Sequence, residues 1–186
     1  LFNNVTEWDK KTMGEWNYMT NKEGINKILD QRVSENAPYE NIYTIAMRGI
    51  HDSGLVGVPK DKEVSLVEEV IADQRSILKK HIDVSLDSIP QIFVPYKEVL
   101  QIMENGLQVP DDITLIWCDD NYGYMTRLSD QEQQKRSGGA GVYYHLSYWG
   151  RPHDYMWLCT TQPGLVYSEM KQAYDCNARR LWIVNV

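Results

Sequence analysis

The stretch ITLIWCDDNYGYMTRLSDQEQQKRSGGAGVYYHLSY, residues 113–148, decides the fold of this chain. Its apolar run at 113–118 has the length and the β-branched and aromatic content of a buried strand. A second apolar run at 141–144 follows glycines that permit a tight turn. The runs stop abruptly, the first at the Asp-Asp-Asn turn of 119–121 and the second at His145. In a parallel barrel, residues that follow the strands form the active site, although Asp-Asp-Asn is also an ordinary turn sequence.

Elsewhere, short apolar runs alternate with amphipathic segments. Further strands are predicted at 42–47, 91–94 and 181–186, and helices at 20–34, 63–81, 98–105 and 163–176. Segments 1–20 and 149–161 are predicted as irregular loops, and 129–136 as a short helix or loop. This alternation predicts an α/β fold with a parallel sheet covered by helices. Five strands indicate part of a barrel, since a closed (β/α)8 barrel needs about 250 residues. The alternative is an open doubly wound sheet, for which no glycine-rich phosphate loop is visible.

Composition narrows the classes of partner. The 186 residues are 42% hydrophobic with a formal net charge of −7, which disfavours nucleic acid and anionic membrane surfaces as partners. The sequence has no run of eighteen or more apolar residues, so no membrane-spanning helix is predicted, and no signal peptide is visible. The twelve tyrosines and six tryptophans combine apolar faces with hydrogen-bonding groups, as sugar recognition requires, although they equally suit a core.

The three cysteines, Cys118, Cys159 and Cys176, are odd in number and lack metal-ligand spacing. We expect them to be reduced and buried, with one disulfide as the alternative.

Polar or ionisable side chains lie at the end of every predicted strand or directly after it. In chain order they are Arg48, His51 and Asp52; Tyr96, Lys97 and Glu98; Asp119, Asp120 and Asn121; His145, Tyr148, Arg151, His153 and Asp154; and Asn185. Paired carboxylates at one rim suit glycoside hydrolysis, in which one carboxylic acid protonates the leaving oxygen while a carboxylate activates water or attacks the sugar. Arg48 or Arg151 could hold a substrate carboxylate bidentately. The alternatives are solvated loop acids, a structural ion pair for Arg48 and a structural role for His145.

Two other chemistries have weaker support. A mixed metal site could draw on His51, Asp52, Asp119, His145 and His153, but no HExxH or similar spacing supports it. The sequence has no G-x-S-x-G motif, so a nucleophilic serine is not predicted. Cys118 lies inside an apolar run, which does not favour a catalytic cysteine.

Several stretches carry a family resemblance. They are GEWNY (14–18), MRG (47–49), YKEV (96–99), VPDDITLIWCDDNYG (109–123), RSGGAGVYYHLSY (136–148) and ARRLWIVNV (178–186). Over essentially its whole length the chain resembles glycoside hydrolase family 115, the xylan α-1,2-glucuronidases, and the CDDN and RSGG-x-G-x-YYH motifs are specific to it.

The resemblance implies a (β/α)8 TIM-barrel catalytic domain inside a longer protein. Residues 1–186 would all belong to that domain and supply about its last five β/α units, with the earlier strands and other domains absent. The implied activity removes α-1,2-linked glucuronic acid, or its 4-O-methyl ether, from glucuronoxylan with inversion and without metal or cofactor. The family also implies a secreted or periplasmic protein and allows a homodimer.

The resemblance also assigns roles to residues. Glu98 is the expected general acid, and Asp52 and Asp119 are the candidates for activating water. The expected substrate-binding residues are Arg48, Tyr96, Asn121, His145 and Tyr148. Arg151 lies in a loop that varies within the family and is expected to contact the xylan. A further acidic residue used by the family would lie upstream of Leu1. The loop IHDSGLVG departs from the more acidic loop of many relatives, which weakens the assignment of Asp52.

Two other functions stay open, a carbohydrate-binding module without turnover and a metal-dependent hydrolase. Because a partial barrel has open strand edges, residues 1–186 alone are expected to be inactive and prone to aggregate.

Overall fold

The computed structural model describes residues 6–50, 53–150, 154–156 and 160–186. Within these ranges the chain forms an α/β fold with five strands and five α-helices, in the alternation that the sequence predicts. It divides into two compact units. The first comprises Leu1–Phe93 with Lys97–Pro110, and the second comprises Val94–Tyr96 with Asp111–Val186. No described helix has both the length and the apolar character needed to cross a membrane.

The first unit packs helices around a pair of parallel strands. Its elements are α1 (Lys10–Met13), α2 (Tyr18–Asn36), β1 (Tyr43–Thr44), α3 (Glu63–His81), β2 (Gln91–Phe93) and α4 (Glu98–Glu104), with 3₁₀ turns at Lys60–Lys62 and Leu86–Ser88. Strands β1 and β2 are parallel, and Tyr43 lies opposite Gln91.

The predicted loop at 1–20 is wrong at two places, because α1 lies inside it and α2 begins two residues before its end. Asn17 caps α2, since its side chain accepts a hydrogen bond from the backbone N–H of Met19 at 2.9 Å. The chain leaves helical geometry at Asn21 (φ −142°, ψ 41°), close to where the sequence predicts the helix to start. The capping asparagine was the available signal for the earlier start.

Helix α3 matches its prediction from end to end. Its apolar positions recur on one face, and Leu66, Val67, Val70 and Leu78 are all buried. Leu66 and Val70 join a cluster completed by Trp8, Tyr18, Ile25 and Met47. Full burial of such aliphatic side chains stabilises the fold by about 1.5–3 kcal/mol each. This face holds α3 in the core of the first unit.

Strand β1 is shorter than the predicted 42–47. Its partner β2 is bracketed by Pro90 and Pro95, which have no N–H to donate to a ladder. The chain nevertheless stays extended beyond β1, because the N–H of Ile45 donates to Ile92 O at 2.8 Å. Ile45 and Met47 are both buried, as alternation along an extended chain requires. The predicted apolar run is therefore real, but only part of it is paired.

The second unit contains residues 113–148. Its elements are β3 (Thr114–Cys118), a 3₁₀ turn at Gln133–Lys135, β4 (Ala140–His145), α5 (Pro163–Asp175) and β5 (Trp182–Asn185). Strand β4 pairs in parallel with β3 and with β5. All three strands lie within one or two residues of their predicted limits, and the parallel pairing is as predicted.

Burial differs between the strands of this unit. Leu115 and Ile116 of β3 and Val142 of β4 are fully buried, so both faces of these strands are covered, as in parallel sheets. On β5, by contrast, Trp182 and Val184 remain about 45% exposed (44% and 45%). Gly141 permits the close approach of β4 and β5, since a Cβ there would lie 2.1 Å from Leu181 O.

Cys118 and Cys176 are each partly exposed rather than fully buried as predicted. Cys159 lies outside the described residues.

Candidate active site

An ion pair in the first unit joins two of the predicted site residues. The guanidinium of Arg48 donates from Nε to Glu98 Oε1 at 2.6 Å and from Nη2 to Oε2 at 3.1 Å. Such a bidentate fork fixes both side chains more strictly than a single contact. The two side chains are 24% and 23% exposed, so this pair is open to solvent on part of its surface. The carboxylate of Glu98 can therefore meet a ligand.

Local backbone contacts hold this pair in place. Trp16 donates its indole N–H to the carbonyl of Arg48 at 2.8 Å, which ties the segment after β1 to the loop before α2. The N–H of Gly49 donates to Ser53 O at 3.0 Å, so the chain on either side of residues 51–52 is joined. A Cβ at Gly49 would lie 2.2 Å from Gly54 O, and the closure therefore requires glycine.

Glu98 begins α4, and the residue before it has an unusual backbone. Lys97 has φ 50° and ψ −119°, a backbone conformation that residues other than glycine rarely adopt. Strained residues of this kind cost about 1–3 kcal/mol and concentrate at functional sites. Here the strained residue separates Tyr96 from Glu98, both predicted to face the substrate.

A second group lies in the second unit, where β3 and β4 end. Asp119 follows β3 directly and His145 is the last residue of β4, so parallel pairing brings both to one edge. The imidazole Nδ1 of His145 lies 2.5 Å from Asp119 Oδ1, and the backbone N–H of His145 donates to Oδ2 at 3.1 Å. The N–H of Asn121 also points to Oδ1, at 3.4 Å. The side chain of Asp119 is completely buried and that of His145 is 7% exposed.

This burial disfavours one expected role. A base that activates water must reach a water molecule with a free lone pair, but both oxygens of Asp119 already accept hydrogen bonds in a solvent-excluded position. Asp119 is therefore better placed to hold His145 than to take a proton from water.

Tyrosines surround the imidazole. The rings of Tyr143 and Tyr148 both have centroids 5.1 Å from that of His145, and Tyr148 meets it edge-on at 86°. Tyr96 lies farther away, at 6.4 Å. Tyr148 is fixed by a two-bond antiparallel bridge to Tyr155, with N···O distances of 2.7 and 2.8 Å. The imidazole thus has little room to turn.

A hydrogen-bond chain continues from these rings. Tyr96 donates its hydroxyl to Asn121 Oδ1 at 3.0 Å, and its oxygen lies 3.5 Å from that of Tyr148. Asn121 adopts φ 67°, a left-handed conformation that asparagine tolerates better than most residues. The turn after β3 thereby presents the amide oxygen to Tyr96.

Burial keeps neighbouring phenols protonated. It raises the pKa of Tyr144 and of Tyr155 to about 12, and the negative charge of Asp119 adds to both shifts. The pKa of Tyr143 is raised for the same first reason, with Cys118 and Asp119 adding to the shift. At neutral pH these hydroxyls are therefore hydrogen-bond donors as well as acceptors.

The structure thus gathers the predicted residues in two sets. Arg48 and Glu98 meet in the first unit, and Tyr96, Asp119, Asn121, His145 and Tyr148 meet in the second. The predicted Asp52 and Arg151 lie outside the described residues, as do His51 and His153 of the alternative metal site. Among the residues that the structure describes, no cluster of three or more metal-ligating side chains occurs.

Sequence reasoning missed three contributors: Trp16, Tyr143 and Tyr155. Tyr143 could have been found from its place two residues before His145, since alternate side chains on a strand share a face. For Trp16 and Tyr155 no local spacing gives a signal, because their partners Arg48 and Tyr148 are joined to them by tertiary contacts.

Comparisons with known proteins indicate what this chain is similar to. A search among curated proteins finds no match. Among solved structures, one described as a family GH115 4-O-methyl-alpha-glucuronidase, BtGH115A, with specificity for decorated arabinogalactans, is 46% identical with a TM-score of 0.91. The match covers 95% of this chain but 24% of that one, so the chain spans about a quarter of its relative's length. The family model described as glycosyl hydrolase family 115 matches residues 1–186. The chain therefore belongs to glycosyl hydrolase family 115.

Proposed function

We propose that the protein carrying this chain is an inverting α-glucuronidase that removes α-1,2-linked glucuronic acid, or its 4-O-methyl ether, from glucuronoxylan. The observation that carries the proposal is the partly exposed pair of Arg48 and Glu98, which places a carboxylate beside a guanidinium at a solvent-accessible position. A uronic acid substrate needs both groups, one to protonate the leaving oxygen and one to hold its own carboxylate.

Glu98 is the proposed general acid. Both of its oxygens accept hydrogen bonds from the guanidinium of Arg48. A substrate carboxylate competes for the same guanidinium fork, because Arg48 is suited to bidentate carboxylate recognition. Substrate binding would thus draw Arg48 away from Glu98 and leave Glu98 able to carry the proton that it delivers.

The second group is proposed to bind sugar hydroxyls. Tyr96, Asn121, His145 and Tyr148 offer phenol, amide and imidazole groups in one connected set. Arg151 is proposed to contact the polysaccharide. Asp52, together with an acid from the remainder of the protein, is proposed to activate water. Inversion requires acid and base carboxyl groups about 6.5–9.5 Å apart, which leaves room for that water.

The wider architecture is proposed from the same reasoning. The parallel strands would form the last five β/α units of a (β/α)8 barrel, in which a further strand of the protein covers the half-exposed β5. Secretion or periplasmic location and assembly as a homodimer are proposed from family membership alone. No metal or cofactor is proposed.

A second polysaccharide is a specific alternative. The 46% identical relative is described as specific for decorated arabinogalactans, so the same uronic acid could be removed from an arabinogalactan instead of a xylan. The chemistry at the uronic acid would be unchanged.

The test uses the full-length protein. It is incubated with glucuronoxylan, with a decorated arabinogalactan and with a branched oligosaccharide of each, and NMR follows released uronic acid and its first-formed anomer. Release of the β-anomer from xylan supports the proposal. Release from arabinogalactan alone would make arabinogalactan, and not xylan, the substrate. A first-formed α-anomer overturns inversion, and no release from any substrate overturns the glucuronidase assignment.

A further inference from the structure

We infer that Asp119 is a positioning residue, which fixes the tautomer and the orientation of His145, and is not the group that activates water. The inference rests on the proposed function in one respect, that His145 contacts the substrate. It assigns to the buried carboxylate a task that its geometry allows.

The first step concerns the proton between the two side chains. An ionised carboxylate has no hydrogen to donate, so in the contact of 2.5 Å the imidazole Nδ1 carries the proton and Asp119 Oδ1 accepts it. In the neutral ring Nε2 is then the nitrogen with the lone pair. The tautomer of a histidine is set in this way by the hydrogen bond that its other nitrogen makes.

The second step concerns orientation. Asp119 holds His145 by two hydrogen bonds. Its Oδ1 accepts one from the imidazole Nδ1, and its Oδ2 accepts one from the backbone N–H of the same residue at 3.1 Å. The rings of Tyr143 and Tyr148, both centred 5.1 Å from the imidazole, limit its rotation further. The side chain of Asp119 is fully excluded from solvent, which makes each of these bonds harder to exchange for water.

The arrangement leaves Nε2 of His145 as the nitrogen that meets a ligand. With Nδ1 occupied, Nε2 is the ring nitrogen left to bind a hydroxyl of the uronic acid or of the sugar that carries it. In the neutral ring Nε2 accepts a hydrogen bond from that hydroxyl. Loss of Asp119 therefore disturbs substrate binding through His145.

Replacement of Asp119 by asparagine offers a direct test. An asparagine side chain has one acceptor oxygen, but His145 presents two donors to this position, Nδ1–H and the backbone N–H. One of them meets an NH2 group, and the imidazole is expected to shift its proton to Nε2. We expect kcat/KM of the full-length Asp119→Asn variant to fall by roughly 10- to 100-fold, as for other residues that orient a ligating histidine.

A double-mutant cycle separates positioning from direct catalysis. If Asp119 acts through His145, then Asp119→Asn in a His145→Gln background lowers kcat/KM no further than His145→Gln alone. Fully additive losses would overturn the inference. So would rescue of Asp119→Asn by azide with formation of a glycosyl azide, because an external nucleophile replaces a missing water-activating base but not a missing orienting group.

A second measurement needs no folded Asp119 variant. Nitrogen-15 NMR of the histidine-labelled wild-type protein reports which ring nitrogen is protonated, and the His145 signals are identified by their loss in His145→Gln. Protonated Nδ1 in the neutral ring is the expected result, and protonated Nε2 overturns the inference. This readout does not depend on turnover, so failure of the proposed glucuronidase activity would be seen separately.

Discussion

The two groups of site residues differ in how their carboxylates are held. Glu98 is paired with a guanidinium that is itself about a quarter exposed, whereas Asp119 is fully buried against an imidazole and two backbone N–H groups. The first carboxylate can exchange its partner when an anion arrives, because both members meet solvent. The second cannot, because any exchange would leave a buried charge unpaired at high cost.

The two carboxylates therefore differ in role because their surroundings differ. A proton donor must change its protonation state during turnover, which suits the exposed pair. An orienting group must not change, which suits the buried pair. A third carboxylate, Asp73, accepts hydrogen bonds from Lys22 and Tyr18 between α2 and α3 and serves as a purely structural reference.

Loss of the exposed carboxylate is expected to have the largest effect on activity. Glu98→Gln keeps the size of the side chain but cannot supply the proton, so kcat on a uronosyl oligosaccharide should fall by about 10²- to 10⁴-fold. Initial rates on the full-length protein measure this. Circular dichroism and the melting temperature should remain close to wild type, and a fall of less than tenfold with an intact fold would remove Glu98 from the role of acid.

The next effect is on stability and concerns the second unit alone. In Gly141→Ala the new Cβ would lie 2.1 Å from Leu181 O and 2.8 Å from Ile116 Cδ1, so β4 and β5 must move apart. We expect a local loss of about 1–3 kcal/mol, seen as faster hydrogen–deuterium exchange in peptides covering both strands.

Gly164→Ala is the matched control. Gly164 lies in the first turn of α5 with nothing within 4 Å of the added Cβ, and alanine there should be neutral or stabilising by up to about 1 kcal/mol. Equal exchange in the two variants would show that Gly141 does not limit the approach of β4 to β5.

A smaller effect on activity is expected when Arg48 of the first group is replaced by lysine. Arg48→Lys retains the positive charge but loses the planar fork that donates from Nε and Nη2. We expect kcat/KM to fall by about tenfold, which corresponds to about 1.4 kcal/mol, mainly through KM. A variant indistinguishable from wild type would mean that charge alone, without bidentate geometry, is enough at this position.

The smallest effect is expected at the structural reference. Burial pulls the pKa of Asp73 upward, but hydrogen bonds from Lys22 and Tyr18 outweigh it, so the pKa lies below its ordinary value. A lowered pKa in the folded state stabilises the protein above the ordinary value of about 4, and this stabilisation is lost as the pH falls through the lowered pKa. For a partly exposed pair it amounts to about 0.2–1 kcal/mol.

Hydrogen–deuterium exchange of α2 and α3 peptides at pH 7 and near pH 3, corrected for intrinsic rates, measures this. Asp73→Asn should reduce the pH dependence of protection without lowering activity at neutral pH. The remainder is expected from Asp30 of α2, whose pKa is lowered by hydrogen bonds from Lys80 and His81 of α3. Persistence of the same dependence in the variant would assign it to another group.

Much of the architecture follows from local sequence. Helix α3 was predictable to the residue because its apolar positions repeat on one face, and β3 and β4 because they are short apolar runs between turn residues. Strand β1 was overestimated because pairing depends on its partner, and β2 is limited by prolines at both ends. Helix α1 was missed because four residues give too little periodicity to detect.

The site was predictable in composition but not in arrangement. Residues at strand ends and the family motifs identified Glu98, Arg48, His145 and Asp119 as candidates. Nothing local showed that Arg48 binds Glu98 across fifty residues, or that the side chain of Asp119 is fully buried. Those facts arise from tertiary packing, and they decide which carboxylate can exchange a proton.

The most direct test of the central claim, that Glu98 is the proton donor, compares two leaving groups. Wild-type protein and Glu98→Gln, both full length, are assayed on a uronosyl oligosaccharide and on an activated aryl α-glucuronide. An aryl group departs without a proton, so we expect a loss of about 10²- to 10⁴-fold on the oligosaccharide and a much smaller loss on the aryl substrate. An equal loss on both substrates would contradict it and reduce Glu98 to a partner of Arg48.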